Sequence, residues 1–190
     1  VEKWLNFYRP YYESEEELVT FVERCESLTL DDDNHRAKIM MHQGQRLTNI
    51  SSLMEEVAAG KDPLKLLFLL VAAENISKLH LSKSEDGYSK FHVKRFFQTF
   101  CSNQSKNALV DKIEVIKKPR DLNTVVDALY AIRCDVVHEG HYWGFDFATN
   151  THPSILSSKD GSQILRVRMT FDEFQSIVVK GIISAVKDVL

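Results

Sequence analysis

Asp62-Pro63-Leu64-Lys65-Leu66-Leu67-Phe68-Leu69-Leu70-Val71-Ala72-Ala73-Glu74-Asn75-Ile76-Ser77-Lys78 is the stretch on which the fold turns. Asp62 reads as an N-cap, with Pro63 at the first helical position. The helix from Pro63 to about Leu81 is apolar almost all round at first, which places it in the centre of a helical bundle. Its most apolar part, Leu64 to Ala73, is too short to span a bilayer and runs into Glu74 and Lys78, so no membrane partner is expected.

Outward from this helix, Ser14 with Glu17 reads as a capping box. Leu18, Phe21, Val22, Cys25 and Leu28 follow at helical spacing. Asp31-Asp32-Asp33 breaks that pattern and offers a new N-cap. Met40, Gly44, Leu47, Ile50, Met54, Val57 and Ala58 mark one apolar face of a long second helix, and Gly60 is its stop. On the other side, Lys83 to Gly87 is a polar break. Phe91, Phe96, Phe97 and Phe100 indicate a fourth helix and read as core or dimer interface. Asn107 to Ile116 reads as a short fifth helix, ended by Lys117-Lys118-Pro119-Arg120. Asp121 caps the next, whose stripe is Leu122, Val125, Val126, Leu129, Ile132 and Val136, with Gly140 as its stop.

The period then changes. Trp143, Phe145 and Phe147 alternate with smaller or polar residues, and Leu165, Val167 and Met169 alternate with Ile164, Arg166 and Arg168. Asp160-Gly161 is a hairpin signal. A small antiparallel β insert over about 142–169 is expected. Thr170 with Glu173 is a second capping box, and the last helix carries Phe174, Ile177, Val178, Gly181, Ile182, Ala185, Val186 and Val189. The expectation is a mainly α fold, with a β-hairpin before the C-terminal helix, in one domain over 1–190.

Composition narrows the function classes. The 190 residues are 44% hydrophobic and 27% charged with a formal net charge of -3, which excludes a uniformly basic nucleic-acid coat. Cys25, Cys101 and Cys134 are far apart and form no CxxC pair; such a sparse, odd set fits a reducing cytoplasm. No zinc-ligand spacing occurs, and no metal or cofactor is expected. No charged n-region followed by an apolar segment opens the chain.

Leu129-Tyr130-Ala131-Ile132-Arg133-Cys134-Asp135-Val136-Val137-His138-Glu139-Gly140 resembles the signature of the HEPN superfamily, helical-bundle proteins with an Arg-x4-His motif, many of them metal-independent ribonucleases. The apolar lead-in, the Val-His pair and the Gly two residues later match that signature, and Leu66 to Lys78 resembles the family's earlier core helix. The resemblance covers roughly Asp62 to Gly140, plus the final helix in outline. It implies a HEPN-like bundle and a homodimeric endoribonuclease of the toxin or defence kind, with RNA as substrate and an antitoxin or other protein as a possible partner.

In that implied chemistry a 2′-oxygen loses its proton to a base and attacks the neighbouring phosphorus, the P–O5′ bond breaks and the 5′-oxygen leaves protonated, giving a 2′,3′-cyclic phosphate. His138 would transfer protons and Arg133 would hold the phosphate oxygens. Asp135 sits three residues before His138, close enough in angle to orient its ring. Five residues at about 100° each put Arg133 and His138 about 140° apart on an ideal helix, so a second motif from the partner copy is part of the implication. Arg166, Arg168 and His141 are candidates to hold the RNA if the insert folds over the motif.

The same residues have plainer roles. Arg133 can pair with a core carboxylate such as Glu74, and His138 can cap helix-end carbonyls. His141 can simply begin an exposed loop. Many catalytic members place a polar residue directly after the Arg; here it is Cys134, commonly a small buried residue. The alternative is a non-catalytic HEPN-like module that binds RNA or a nucleotide, or a dimeric protein-interaction scaffold. Both side chains lining a shared solvent-open cleft would favour chemistry there, whereas Arg133 held in an internal ion pair would favour the scaffold. Lys90, Lys94 and Arg95, followed by Lys106, Lys112, Lys117, Lys118 and Arg120, read first as solvated helix faces and second as an RNA-binding strip.

Overall fold

The computed structural model describes residues 1–82, 88–141, 144–149, 152–157 and 163–190. Among them run α1 (Glu2–Tyr8), a 3-10 turn (Arg9–Tyr11), α2 (Glu15–Ser27), α3 (Arg36–Val57), α4 (Asp62–Leu81), α5 (Ser89–Thr99), α6 (Asn103–Lys112), β1 (Ile113–Val115), α7 (Leu122–Glu139), β2 (Ser154–Ser157), β3 (Ile164–Val167) and α8 (Phe171–Lys187). The fold is mainly α with a small antiparallel sheet.

Central placement of α4 follows from its composition. Leu66, Leu69, Leu70, Ala72, Ala73 and Ile76 are fully buried, and α3, α5, α7 and α8 all pack against it. Asp62 does not act as the N-cap. The helix begins one residue earlier than expected, with Lys61 in that position, and the Asp62 carboxylate accepts from the Phe147 amide at 2.8 Å and pairs with Lys65 at 2.9 Å. The side chain is drawn to a segment distant in the chain that local reading cannot see.

The caps at Ser14, Asp121 and Thr170 all form, each side chain accepting from the amide three residues on. Only Thr170 and Glu173 complete the reciprocal box, with the Glu173 carboxylate accepting from the Thr170 amide at 3.0 Å. The Asp31–Asp33 run forms a turn rather than a cap: Asp32 accepts from the amide and hydroxyl of Thr29, and α3 starts after His35.

The face expected of α3 divides. Met40 and Gly44 are buried, but Ile50 is 37% and Val57 74% exposed. Gln45, Thr48 and Ser51 turn inward instead. The Thr48 hydroxyl donates to the Gly44 carbonyl and the Ser51 hydroxyl to the Lys65 carbonyl, so these small polar side chains satisfy themselves on backbone and let α3 approach α4 closely. Periodicity alone reads them as surface.

The β region also differs from expectation. The fifth helix ends at Lys112, and Ile113–Val115 is a strand that pairs antiparallel with β3, giving the order β1-β3-β2. Ile113 and Val115 are buried around half-buried Glu114, and β-branched residues with a partner strand favour extended chain over another helical turn. On β3, Leu165 and Val167 are buried and Ile164 is exposed, the alternation expected. Phe145 and Phe147 lie outside any strand. They pack as aromatic anchors, Phe147 against Phe171 and Phe174 at 5.6 and 5.7 Å between centroids. Tyr142, Trp143 and the Asp160-Gly161 turn fall outside the described residues.

Phe96 and Phe97 of α5 and Phe100 at its C-cap are buried as expected, but Phe91 is 52% exposed. Helix α1 was not signalled: seven residues are too few for a periodic pattern, yet fully buried Tyr8 donates to the Met41 carbonyl at 2.7 Å and ties it to α3. Among the described residues, no helix is long and apolar enough to cross a membrane.

Candidate functional site

The Arg133–His138 segment occupies the last two turns of α7. Asp121 starts this helix by accepting from the Thr124 amide at 2.8 Å. Its buried stripe of Val125, Val126, Ala128, Leu129 and Val136 holds it against the bundle. Gly140 adopts φ +64°, and the amides of Gly140 and His141 both donate to the Asp135 carbonyl. The stop is therefore left-handed, as Gly allows without steric cost.

Beside α7 runs α5, antiparallel to it. Gln98 donates to Asn123 at 2.7 Å, and Lys94 and Lys90 pair with Asp127 at 2.8 and 3.0 Å. Two of the lysines considered for an RNA strip are thus engaged with a carboxylate. Lys112 is paired with Glu173, and Arg95 is turned to Ser77 and His80.

Arg133 points inward. Its Nη2 donates to Glu74 Oε2 on α4 at 3.5 Å, and the two side chains are only 16% and 10% exposed. The guanidinium lies over the Tyr130 ring, 5.4 Å from its centroid. Its Nε is buried with no hydrogen-bond partner among the described residues. Glu74 serves three elements: its Oε1 accepts from Lys78 at 2.6 Å and from Ser89, at the start of α5, at 2.7 Å. Burial pushes this carboxyl up, but the hydrogen bonds from Lys78 and Ser89 and the charges of Lys78 and Arg133 outweigh it. The group therefore titrates below the ordinary glutamate value. The Tyr130 phenol is pushed up, first by burial; Arg133 opposes this and Cys134 adds to it.

The other candidates are dispersed. His138 is exposed on the final turn, and Asp135 and Cys134 are half-buried. Arg166 pairs with Glu114 of β1 at 3.1 Å, so it is committed within the sheet. Arg168 is exposed, its amide donating to the Lys112 carbonyl. His141 is half-buried after the helix stop. Among the described residues, no hydrogen bond or ion pair joins Arg133 to His138, Asp135, Arg166 or Arg168. A groove of about 420 Å³ lies elsewhere, between α6 and α8, lined by Ser102, Ser105, Lys112, Asp172 and Lys180 among others.

The Glu74–Arg133 pair was legible as a possibility. The Lys78 contact has an i,i+4 signal in sequence. Ser89 had none, because it lies fifteen residues away in the chain. Among the described residues, no group of three His, Cys, Asp or Glu side chains is placed to hold a metal ion. Comparison of the chain with protein-family models, curated proteins and solved structures finds no match.

Proposed function

We propose that the chain is a HEPN-like module acting as a non-catalytic, self-associating protein-interaction scaffold in the cytoplasm. The observation that carries this reading is the orientation of Arg133, whose guanidinium lies in an internal ion pair with Glu74 rather than beside His138. A phosphate clamp needs its donors free and pointed at the substrate. Here the side chain joins α7 to α4 through Glu74, which also binds Ser89 at the start of α5.

A second reading is favoured by a different observation. His138 is exposed, and Arg133 touches Glu74 through a single nitrogen at 3.5 Å. In that reading two copies bring their motifs together as a metal-independent endoribonuclease of the toxin or defence type. His138 transfers protons, Arg133 turns to the phosphate, Asp135 orients the imidazole, Arg166, Arg168 and His141 hold the strand, and an antitoxin-like protein restrains the activity.

One experiment separates them. Purified protein is incubated in EDTA with mixed-sequence single-stranded RNA, beside His138→Ala and Arg133→Ala, and the ends are analysed for 2′,3′-cyclic phosphate. The scaffold reading expects no cleavage above background by any of the three. Cleavage by the wild type that is lost in both variants replaces it with the ribonuclease reading.

A further inference from the structure

The outer face of α3 carries a partly exposed apolar stripe. Ile39, Ile50, Leu53 and Val57 are 36%, 37%, 45% and 74% exposed. With Gln43 and Arg46 they recur at alternating steps of four and three along the helix, the a/d spacing of a coiled-coil seam. The inversion of α3 produces it: polar Gln45, Thr48 and Ser51 face the core while the apolar residues face out.

The opposite, inward side of the helix is occupied. The Gln175 amide donates there to the Thr48 carbonyl and the Ser52 hydroxyl, and one turn further on Lys65 pairs with Glu55 at 2.5 Å. Near its N-terminus α3 is covered by Trp4 stacked on His42 at 4.2 Å and by Lys38 bonded to the Glu26 and Leu28 carbonyls. The open part is therefore Arg46 to Val57.

We propose that this part of α3 is a docking surface for a second copy of the chain, in an antiparallel two-fold helix pair. Antiparallel packing sets a positions against d positions. A two-fold axis between Ser51 and Ser52 places Ile50 against the partner's Leu53, and Leu53 against the partner's Ile50. The same axis lays the Arg46 stem along the partner's Val57, with its guanidinium beside the partner's Glu56. Arg46 and Glu56 are both exposed, and neither has an ion pair among the described residues. The face is thus complementary to itself in charge as well as shape, and each charge pair occurs twice.

The overlap is only about three helical turns, smaller than the roughly 800 Å² per partner of a standard stable interface. The dimer is therefore weak and concentration-dependent. This rests on the scaffold reading for its purpose but not for its evidence, and its test measures association rather than RNA cleavage, so the two can fail separately.

The test is sedimentation velocity over a concentration series, with circular dichroism to confirm that each variant keeps its helices. Wild type is expected to shift from monomer to dimer as concentration rises. Arg46→Glu and Glu56→Arg should each weaken association by about tenfold, because each puts like charges together twice. The double variant Arg46→Glu/Glu56→Arg should restore it, and Leu53→Asp should abolish it. A wild type that stays monomeric overturns the proposal. So does a dimer unmoved by these changes but dissociated by Phe91→Glu or Val137→Asp on the α5–α7 side, and so does failure of the double variant to recover.

Discussion

Glu74→Ala lowers the unfolding free energy by about 3 kcal/mol, because it strands several donors at once in a poorly hydrated place. Arg133 loses its carboxylate while its Nε already lacks a partner among the described residues. Lys78 and the Ser89 hydroxyl lose their contacts with the same group. His138→Ala, on the exposed last turn, changes stability by less than about 0.5 kcal/mol. Urea unfolding followed by circular dichroism reads both values.

The acid limb carries the same information. Glu74 is held below its ordinary value in the folded state. Its contribution is therefore complete above the unfolded value of about 4.3 and is lost as pH falls through the folded value. Glu15, Asp32, Glu55, Asp127 and Glu173 are lowered as well, so the wild type weakens in acid for several reasons. The readable quantity is the difference from Glu74→Gln, which should narrow below about pH 4.

Gly181→Val costs about 3 kcal/mol through overpacking. On α8 a Cβ at this residue would stand 2.7 Å from Phe96 Cζ and 3.0 Å from its Cε1, with Cys101 Sγ at 3.3 Å. The Phe96 ring is fully buried and packed edge-on to Phe97 and Phe100 at 5.4 and 5.9 Å, so it has nowhere to swing. Gly181→Ala should be milder, since the gain in helix propensity, about 1 kcal/mol, offsets part of the clash. A denaturation midpoint for Gly181→Val equal to wild type would show that the Phe96 ring yields more readily than its packing indicates.

Those two sites differ in how far sequence reveals them. Gly181 falls on the apolar stripe of the last helix, and its place in the core was readable; the ring it admits was not, because Phe96 is far away in the chain. The stripes of α2, α7 and α8, the side-chain caps at Ser14, Asp121 and Thr170 and the all-round apolar α4 were legible because each depends on neighbours within a turn or two. What escaped depends on distant partners. Ile113–Val115 becomes a strand only because β3 lies beside it. Asp62 leaves its capping position for the Phe147 amide. On α3, Thr48 and Ser51 become core residues because backbone carbonyls accept hydrogen bonds from their hydroxyls.

At the motif, sequence placed Arg133 and His138 at the end of one helix and marked Glu74 as a possible partner. It left open which way the guanidinium turns, since that depends on packing between α4 and α7.

The most direct test is a double-mutant cycle on Glu74→Ala and Arg133→Ala, measured by urea unfolding. If Arg133 is a structural residue of the α4–α7 contact, the double variant should be less destabilised than the sum of the singles by at least about 1 kcal/mol. Additivity within about 0.5 kcal/mol would contradict that role and return Arg133 to solvent, where the ribonuclease reading needs it.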